Sequence, residues 1–271
     1  DPGLLVGIPR KLNREAYGID DNNLPFFGYD VWNAYEVSVL THRGLPVSGM
    51  MKIVCPASSI THVESKSIKL YLNSYNMTRM GDTAEQAISI FEARVAKDLT
   101  LLLGRSVATK MFTDEASESF HFQGFTKLQY LTDLDMIEFD NYYSDADSLK
   151  TSKVHETGQE FKIQSDLLRS NCRVTNQPDW GDVFIHMVGK NEPNYTSLAE
   201  YIVSHRKVSH FHEEINEMVF THLMQAYEPD ELMVSCLYTR RGGLDINPIR
   251  ATSQEMIPTA FFSESVRLKK T

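Results

Sequence analysis

Ser67-Ile-Lys-Leu-Tyr-Leu-Asn-Ser-Tyr75 and Ser197-Leu-Ala-Glu-Tyr-Ile-Val-Ser-His205 decide how the chain is organised. The two stretches lie 130 residues apart and share Ser67/Ser197, Tyr71/Tyr201 and Ser74/Ser204. Their apolar positions agree as well. Ile68, Tyr71, Leu72 and Tyr75 in the first, and Leu198, Tyr201, Ile202 and His205 in the second, fall on one face of a short amphipathic helix. Three identities in nine positions can arise by chance, so the flanks carry the weight.

Upstream of the first helix, Tyr35, Val37 and Val39 alternate with Glu36, Ser38 and Leu40. After His42-Arg-Gly-Leu-Pro46 a second strand-like run reaches Cys55. Residues 168–176 and 182–189 repeat that pattern around Gln177-Pro-Asp-Trp-Gly181, a turn punctuated by Pro and Gly. Downstream, each half has a long helix. The first starts at Asp82 with Glu85 three residues on, a capping-box pattern, and carries the stripe Ile88, Phe91, Val95, Leu99 and Leu102 before Gly104. The second starts near Phe211, carries Ile215, Met218, Val219, Leu223 and Ala226, and is closed by Pro229. Strand-like runs follow at 105–113 in one half and at 231–241 and 244–250 in the other. Each half thus reads strand-strand-helix-helix-strand-strand, with the polar stretch 140–160 as linker. Two related modules, 1–145 and 146–271, would then face one another across a site. The alternative is a two-layer α+β protein without duplication.

Composition bounds the function. A chain of 271 residues makes one large domain or two modules of about 130. With 42% hydrophobic and 23% charged residues, disorder, collagen and coiled coil are excluded. No run approaches the roughly 18 consecutive apolar residues of a membrane span. The net charge of -9 repels nucleic acid and anionic lipid alike. Three cysteines are too few, and odd in number, for a disulfide framework, so a reducing cytoplasm is expected. The opening Asp1-Pro-Gly-Leu-Leu-Val-Gly-Ile-Pro-Arg10 has neither the basic region nor the apolar core of a signal peptide. It lacks Met, so the true N-terminus is expected to lie upstream.

Several residues could carry chemistry. Cys55 shares the alternating face of Met51 and Ile53, and Cys236 that of Val234 and Tyr238, so both read as small buried hydrophobes. Cys172 shares a face with Val174, yet it sits in Ser170-Asn-Cys-Arg173, where a cation would raise the thiolate fraction. Core and nucleophile readings both stay open for it. Asp179 is either a turn aspartate after Pro178 or, with Trp180 as an apolar wall, a general acid. Spacing alone does not show that Cys172 and Asp179 meet. In His210-Phe-His-Glu-Glu214, Asn216 stands where the second His of H-E-x-x-H belongs, and no Cys-x-x-Cys exists, so no metal site is expected. His212 and Glu213 then read as a helix start, where the dipole favours Glu.

Glu64-Ser-Lys-Ser-Ile-Lys69 is a solvated helix start or a pocket rim with one carboxylate and two ammonium groups. A carboxylate can accept from a nucleobase amide and amine together, and lysine suits phosphate. Tyr238-Thr-Arg-Arg-Gly-Gly243 is a second basic spot or a plain hairpin. The chain has no Gly-x-Gly, P-loop or G-x-S-x-G, so a nucleotide cofactor must be held without a Rossmann turn.

Taken together, Glu64-Ser-Lys-Ser-Ile-Lys-Leu-Tyr71, Ser170-Asn-Cys-Arg-Val-Thr-Asn-Gln-Pro-Asp-Trp-Gly181, Phe211-His-Glu213 and Tyr238-Thr-Arg-Arg-Gly-Gly-Leu-Asp-Ile-Asn-Pro248 resemble the 7-cyano-7-deazaguanine reductases. These are the nitrile reductases of queuosine biosynthesis, and the resemblance covers essentially the whole chain. It implies an α+β fold of two tandem tunnelling-fold (T-fold) modules, each an antiparallel four-stranded sheet with two helices on one face. The Glu64 motif lies only in the first module, and Cys172, Asp179 and His212 lie only in the second. Ser38 stands roughly where a first-module cysteine would be. That split looks like the family's two-module branch.

The resemblance also implies a mechanism. Cys172 adds to the nitrile carbon to form a thioimide, Asp179 donates a proton and His212 assists. Two NADPH in turn reduce the adduct and then an imine to the aminomethyl base. Implied substrate contacts are Glu64, Ser65, Lys66, His212 and Glu213. Implied cofactor contacts are Lys66, Ser67, Arg241 and Gly242, and no metal is required. The implied partner is a small molecule, with no direct nucleic acid and no membrane, and the implied assembly is a homodimer in the cytoplasm. The alternatives are a cyclohydrolase-like T-fold enzyme with a metal site, and a non-catalytic nucleobase-binding module.

Overall fold

Two long hairpins, each followed by two helices, organise the chain. The computed structural model describes residues 1–113 and 122–263. In chain order the elements are β1 (Gly7–Pro9), α1 (Lys11–Ala16), β2 (Phe27–Leu40), β3 (Pro46–Pro56), β4 (Thr61–Val63), α2 (Ser65–Asn73), α3 (Ala84–Leu103), β5 (Ala108–Phe112) and β6 (Thr126–Lys127). They continue as β7 (Thr151–Asn171), β8 (Pro178–Pro193), α4 (Tyr195–Ser204), α5 (His212–Tyr227), β9 (Glu231–Tyr238), β10 (Leu244–Ala251) and α6 (Ala260–Ser263). Among the described residues no helix is long and apolar enough to cross a membrane.

The strands form one eight-stranded sheet in the order β5-β3-β2-β10-β9-β8-β7-β6, and β1 and β4 form a separate pair. Neighbours in the large sheet are antiparallel except β6 and β7. The seam between the halves is β2 against β10, in register from Ala34↔Leu244 to Phe27↔Ala251. Alternation then sorts the side chains. Trp32, Ile53, Ile185 and Val234 face the helices, while Val31, Phe184, Met233 and Ile249 face away, beneath Phe122, Ile257 and Phe261. Phe91 and Val95 of α3 cover the first half, and Tyr201 of α4 with Met218 and Phe220 of α5 cover the second.

Two details depart from the sequence reading. The second half supplies four antiparallel strands, but the first supplies three to the common sheet, β2, β3 and β5. The next strand, β6, instead lies parallel to β7 at the far edge. Thr126 and Lys127 are both exposed, so backbone pairing with Ile163 and Gln164 fixes them rather than burial. The other departure is the start of α3. Its N-cap is Thr83, whose hydroxyl accepts from Gln86 N, while the Gln86 amide oxygen takes the Asp82 N–H. Thr-x-x-Gln serves there in place of Asp82-x-x-Glu85. Gly104 ends the helix at φ +64, as expected.

The serines shared by the two short helices make the same bonds twice. Ser67 Oγ donates to the Glu64 carbonyl and accepts from Val6 N, as Ser197 Oγ donates to the Asn194 carbonyl and accepts from Lys150 N. Ser74 Oγ donates to the Tyr71 carbonyl and accepts from the Asp1 nitrogen, as Ser204 Oγ donates to the Tyr201 carbonyl and accepts from Asp145 N. Each short helix is therefore strapped by a segment with an aspartate just before a 3-10 turn, Pro2–Leu4 or Ala146–Ser148.

After the second strap, β7 begins at once. After the first, residues 7–26 intervene, and they carry Arg10 and Arg14 into the seam. There Arg10, Arg14, Asp30, Glu217 and Arg250 are all buried. Arg14 donates to both Glu217 oxygens at 3.0 and 2.7 Å, Arg250 reaches Asp30 and Glu217 at 2.8 Å each, and Arg10 pairs with Asp30. Burial alone would raise both carboxyls. For Asp30, Arg10 and Arg250 outweigh it; for Glu217, Arg250, Arg14 and Arg10 do, so both lie below the ordinary carboxylate range. Removing one partner of such a cluster strands buried charge. Glu217→Ala is expected to cost about 3–5 kcal/mol of unfolding free energy, read by urea denaturation. A loss within the roughly 1 kcal/mol of a surface pair would show the cluster to be dispensable.

Candidate active site

Four junctions converge on one cavity of about 240 Å³: β4 to α2, β7 to β8, the start of α5, and β9 to β10. The first half lines it with His62, Glu64, Ser65, Lys66 and Lys69. The second half contributes Cys172, Asp179, His212, Glu213, Arg241 and Gly242.

Cys172 is not in a strand. β7 stops at Asn171, and the chain turns back: Cys172 N donates to the Gln177 carbonyl at 2.8 Å and Asn176 N to the Cys172 carbonyl at 2.9 Å. Asn176 makes the reversal at φ +55, a conformation Asn tolerates. Pro178 then opens β8, where its missing N–H does no harm. The strand face that Cys172 was expected to share with Val174 does not form. Instead the hairpin pairs Ser170 with Asp179, and Cys172 and Asp179 line the same cavity.

The thiol is half-buried, which would raise its pKa. Bonds from the Thr175 hydroxyl and N–H, the Val174 N–H and Arg241 outweigh this and set it below the ordinary cysteine value. Burial does the reverse to the other two cysteines: Cys236 is pushed up to about 12 and Cys55 is raised as well. The supporting cation is Arg241, not the neighbouring Arg173. The Arg173 guanidinium turns to Glu214 Oε1 at 3.0 Å and His210 Nδ1 at 3.0 Å, and His210 Nε2 meets the Tyr17 hydroxyl at 3.2 Å. This chain ties the Cys172 turn to the start of α5. Glu214 also accepts from Phe211 N at 3.0 Å.

Asp179 is 3% exposed, with Oδ1 3.2 Å from Arg241 Nη1 and Oδ2 3.3 Å from His212 Nε2. His212 is no surface residue: its ring stacks on Tyr238 at 3.7 Å and 8°. Its Nδ1 is buried and has no hydrogen-bond partner among the described residues. Trp180 does not wall this group. It is 47% exposed on the other face of β8, against the guanidiniums of Arg169 and Arg206, because neighbours in a strand point to opposite sides. Tyr238 supplies the apolar wall instead.

Glu213 is 2% exposed, and its Oε1 has no hydrogen bond among the described residues. Glu64 caps α2, accepting from Lys66 N at 3.0 Å and Ser67 N at 2.7 Å. Helical periodicity splits the rest of that motif. Ser65, Lys66 and Lys69 face the cavity, whereas Ser67 is 5% exposed and outside the lining, its hydroxyl held by Glu64 and Val6. Ser67 supports the start of the motif through these two bonds. Gly242 takes φ +57, and a Cβ there would come within 2.6 Å of Lys69 Nζ. Lys66, Lys69 and Arg241 thus gather around a close backbone approach, a setting that suits a phosphorylated nucleotide. His62 lines the cavity too; nothing in Thr61-His-Val63 marks it by sequence.

A protein of Colwellia psychrerythraea named NADPH-dependent 7-cyano-7-deazaguanine reductase is 38% identical over 259 residues, 95% of this chain and 88% of that protein. The chain belongs to the 7-cyano-7-deazaguanine reductase family. A Coxiella burnetii reductase of the same name is 40% identical over 253 residues, 93% of this chain and 87% of that one. Residues 1–111 match the family model for the nitrile reductase, 7-cyano-7-deazaguanine-reductase N-term, and residues 178–256 match that for QueF-like protein. Among solved structures, the archaeosine synthase QueF-Like in the apo form is similar at a TM-score of 0.31 and 14% identity, over 36% of this chain and 95% of that one. The reductase-family match reaches both sides of the cavity: Glu64 to Lys69 fall in the first model, and Asp179, His212, Glu213 and Arg241 in the second.

Proposed function

We propose that this chain reduces the nitrile of 7-cyano-7-deazaguanine to the aminomethyl base with two NADPH, in queuosine biosynthesis. One observation carries the reading. A single cavity joins a thiol of lowered pKa, an Asp–His pair and a buried carboxylate, one oxygen of which has no hydrogen bond among the described residues.

The residues can bear the chemistry. The Cys172 thiolate attacks the nitrile carbon; as the C–S bond forms, a C≡N electron pair moves to nitrogen, which takes a proton from the Asp179–His212 pair, giving a thioimide. NADPH, when bound, supplies a hydride in each of two reduction steps. Cys172 holds the carbon for the first and then leaves it as thiolate, and the Asp179–His212 pair returns protons to nitrogen. Glu213 and Glu64 accept from the amide and amine of the guanine-like edge, and Ser65 and Lys66 flank the base. Lys66, Arg241 and Gly242, joined by Lys69, hold the phosphorylated cofactor, and Ser67 keeps the start of α2 in place.

Division of the chain into tandem T-fold modules at 1–145 and 146–271 is part of the same proposal. It is supported by the two straps, which carry Asp1 and Asp145 and make matching bonds. The edges at β5 and β6 leave the large sheet open, and association into a homodimer would close such sheets into a barrel. A reducing cytoplasm would keep Cys172 a thiol.

The test is loss of NADPH absorbance on adding the cyano base, expected at two NADPH per base. Binding of the base without NADPH oxidation would make the chain a binding module. Turnover that depends on a stoichiometric zinc would favour the cyclohydrolase-like reading.

A further inference from the structure

We propose that His62 is a positioning residue that aims the Glu213 carboxylate at the substrate base. The inference rests on the reductase reading and extends it to a residue of the first half. His62 sits in the middle of β4, opposite Ile8 of β1, and its ring enters the cavity wall. It is 3% exposed, and neither ring nitrogen has a hydrogen-bond partner among the described residues. Nδ1 lies 3.5 Å from Glu213 Oε1, the oxygen that is itself without a hydrogen bond. Phe211 packs edge-on against the imidazole at 4.9 Å and 69°, which fixes the ring plane.

Two buried polar groups facing each other just beyond hydrogen-bond length are costly to leave unpaired. A contraction of a few tenths of an ångström would form a charge-assisted Nδ1–H···Oε1 bond. Oε2 of the aimed carboxylate, with its two lone pairs, is left for the amide and amine of the base. The other buried cation nearby, Arg10, is paired with Asp30 and Glu217. Facing Glu213 from the cavity wall is His62. A carboxylate carried by the second half is thus aimed by an imidazole from the first.

The experiment compares three variants for KM of the cyano base, KM of NADPH, kcat and thermal midpoint. His62→Leu removes the donor, and is expected to raise KM for the base about tenfold or more, with kcat within about twofold and KM for NADPH unchanged. His62→Asn places Nδ2 near the position of Nδ1 and is expected to recover most of the loss. His62→Gln is expected between the two and carries the comparison should the leucine variant unfold. An unchanged KM for the base in a folded leucine or glutamine variant overturns the proposal. So does an equal fall in all parameters that asparagine does not rescue, which marks a purely structural role. A wild-type chain that oxidises no NADPH with this base brings down the reductase reading itself, an outcome separate from either.

Discussion

Cys172→Ala is expected to abolish turnover and, with it, any covalent adduct between the protein and the cyano base. The adduct needs a thiolate at the cavity, and the chain has no substitute. Cys55 and Cys236 are fully buried in the helix-covered core, and burial holds both thiols protonated. Alanine removes one sulfur from a half-exposed turn without disturbing the hydrogen bonds of Cys172 N and O. The base should still bind, because Glu213 and Glu64 are untouched. Intact-mass spectrometry of wild type with the base, without NADPH, should show one added base, and the variant none. An adduct that persists in the variant would sink the assignment of Cys172.

Asp179→Asn is expected to slow turnover roughly 10²- to 10⁴-fold, the usual contribution of a positioned acid. The change is nearly isosteric, and Arg241 keeps its hydrogen bond to Gln177 Oε1. The amide cannot release a proton, and the change takes from His212 the carboxylate that orients the ring. The hairpin should be unaffected, since Asp179 contributes to it through its backbone pairing with Ser170. Single-turnover measurements should place the loss in the steps that protonate nitrogen. A near-normal rate would return Asp179 to the role of a turn aspartate.

The likeness of the two short helices was legible at Ser67 and Ser74, whose bonds to backbone recur at Ser197 and Ser204, whereas the hydroxyls of Tyr71 and Tyr201 reach different partners, Asp98 and His222. The faces of Cys55 and Cys236 followed from alternation. That Cys172 and Asp179 line one cavity was not legible, because it depends on one left-handed residue, Asn176, reversing the chain before the Pro-Asp-Trp-Gly run rather than within it. Trp180 and Arg173 were assigned to the site because they adjoin it in sequence. In a strand and a tight turn, adjacency points a side chain elsewhere, and the true neighbours, Tyr238 and Arg241, come from another hairpin. The charge cluster was equally hidden: Arg14 and Glu217 stand 203 positions apart, and nothing local marks either as buried.

The seam has a consequence for how the enzyme is born. β2 is among the first long strands to leave the ribosome, yet one of its two partners, β10, ends at Ala251. Until β10 has been synthesised, that edge of β2 is naked and Asp30 lacks Arg250. A nascent chain in that condition invites pairing with its neighbours. Any chain that stops before β10 keeps that edge of β2 unpaired.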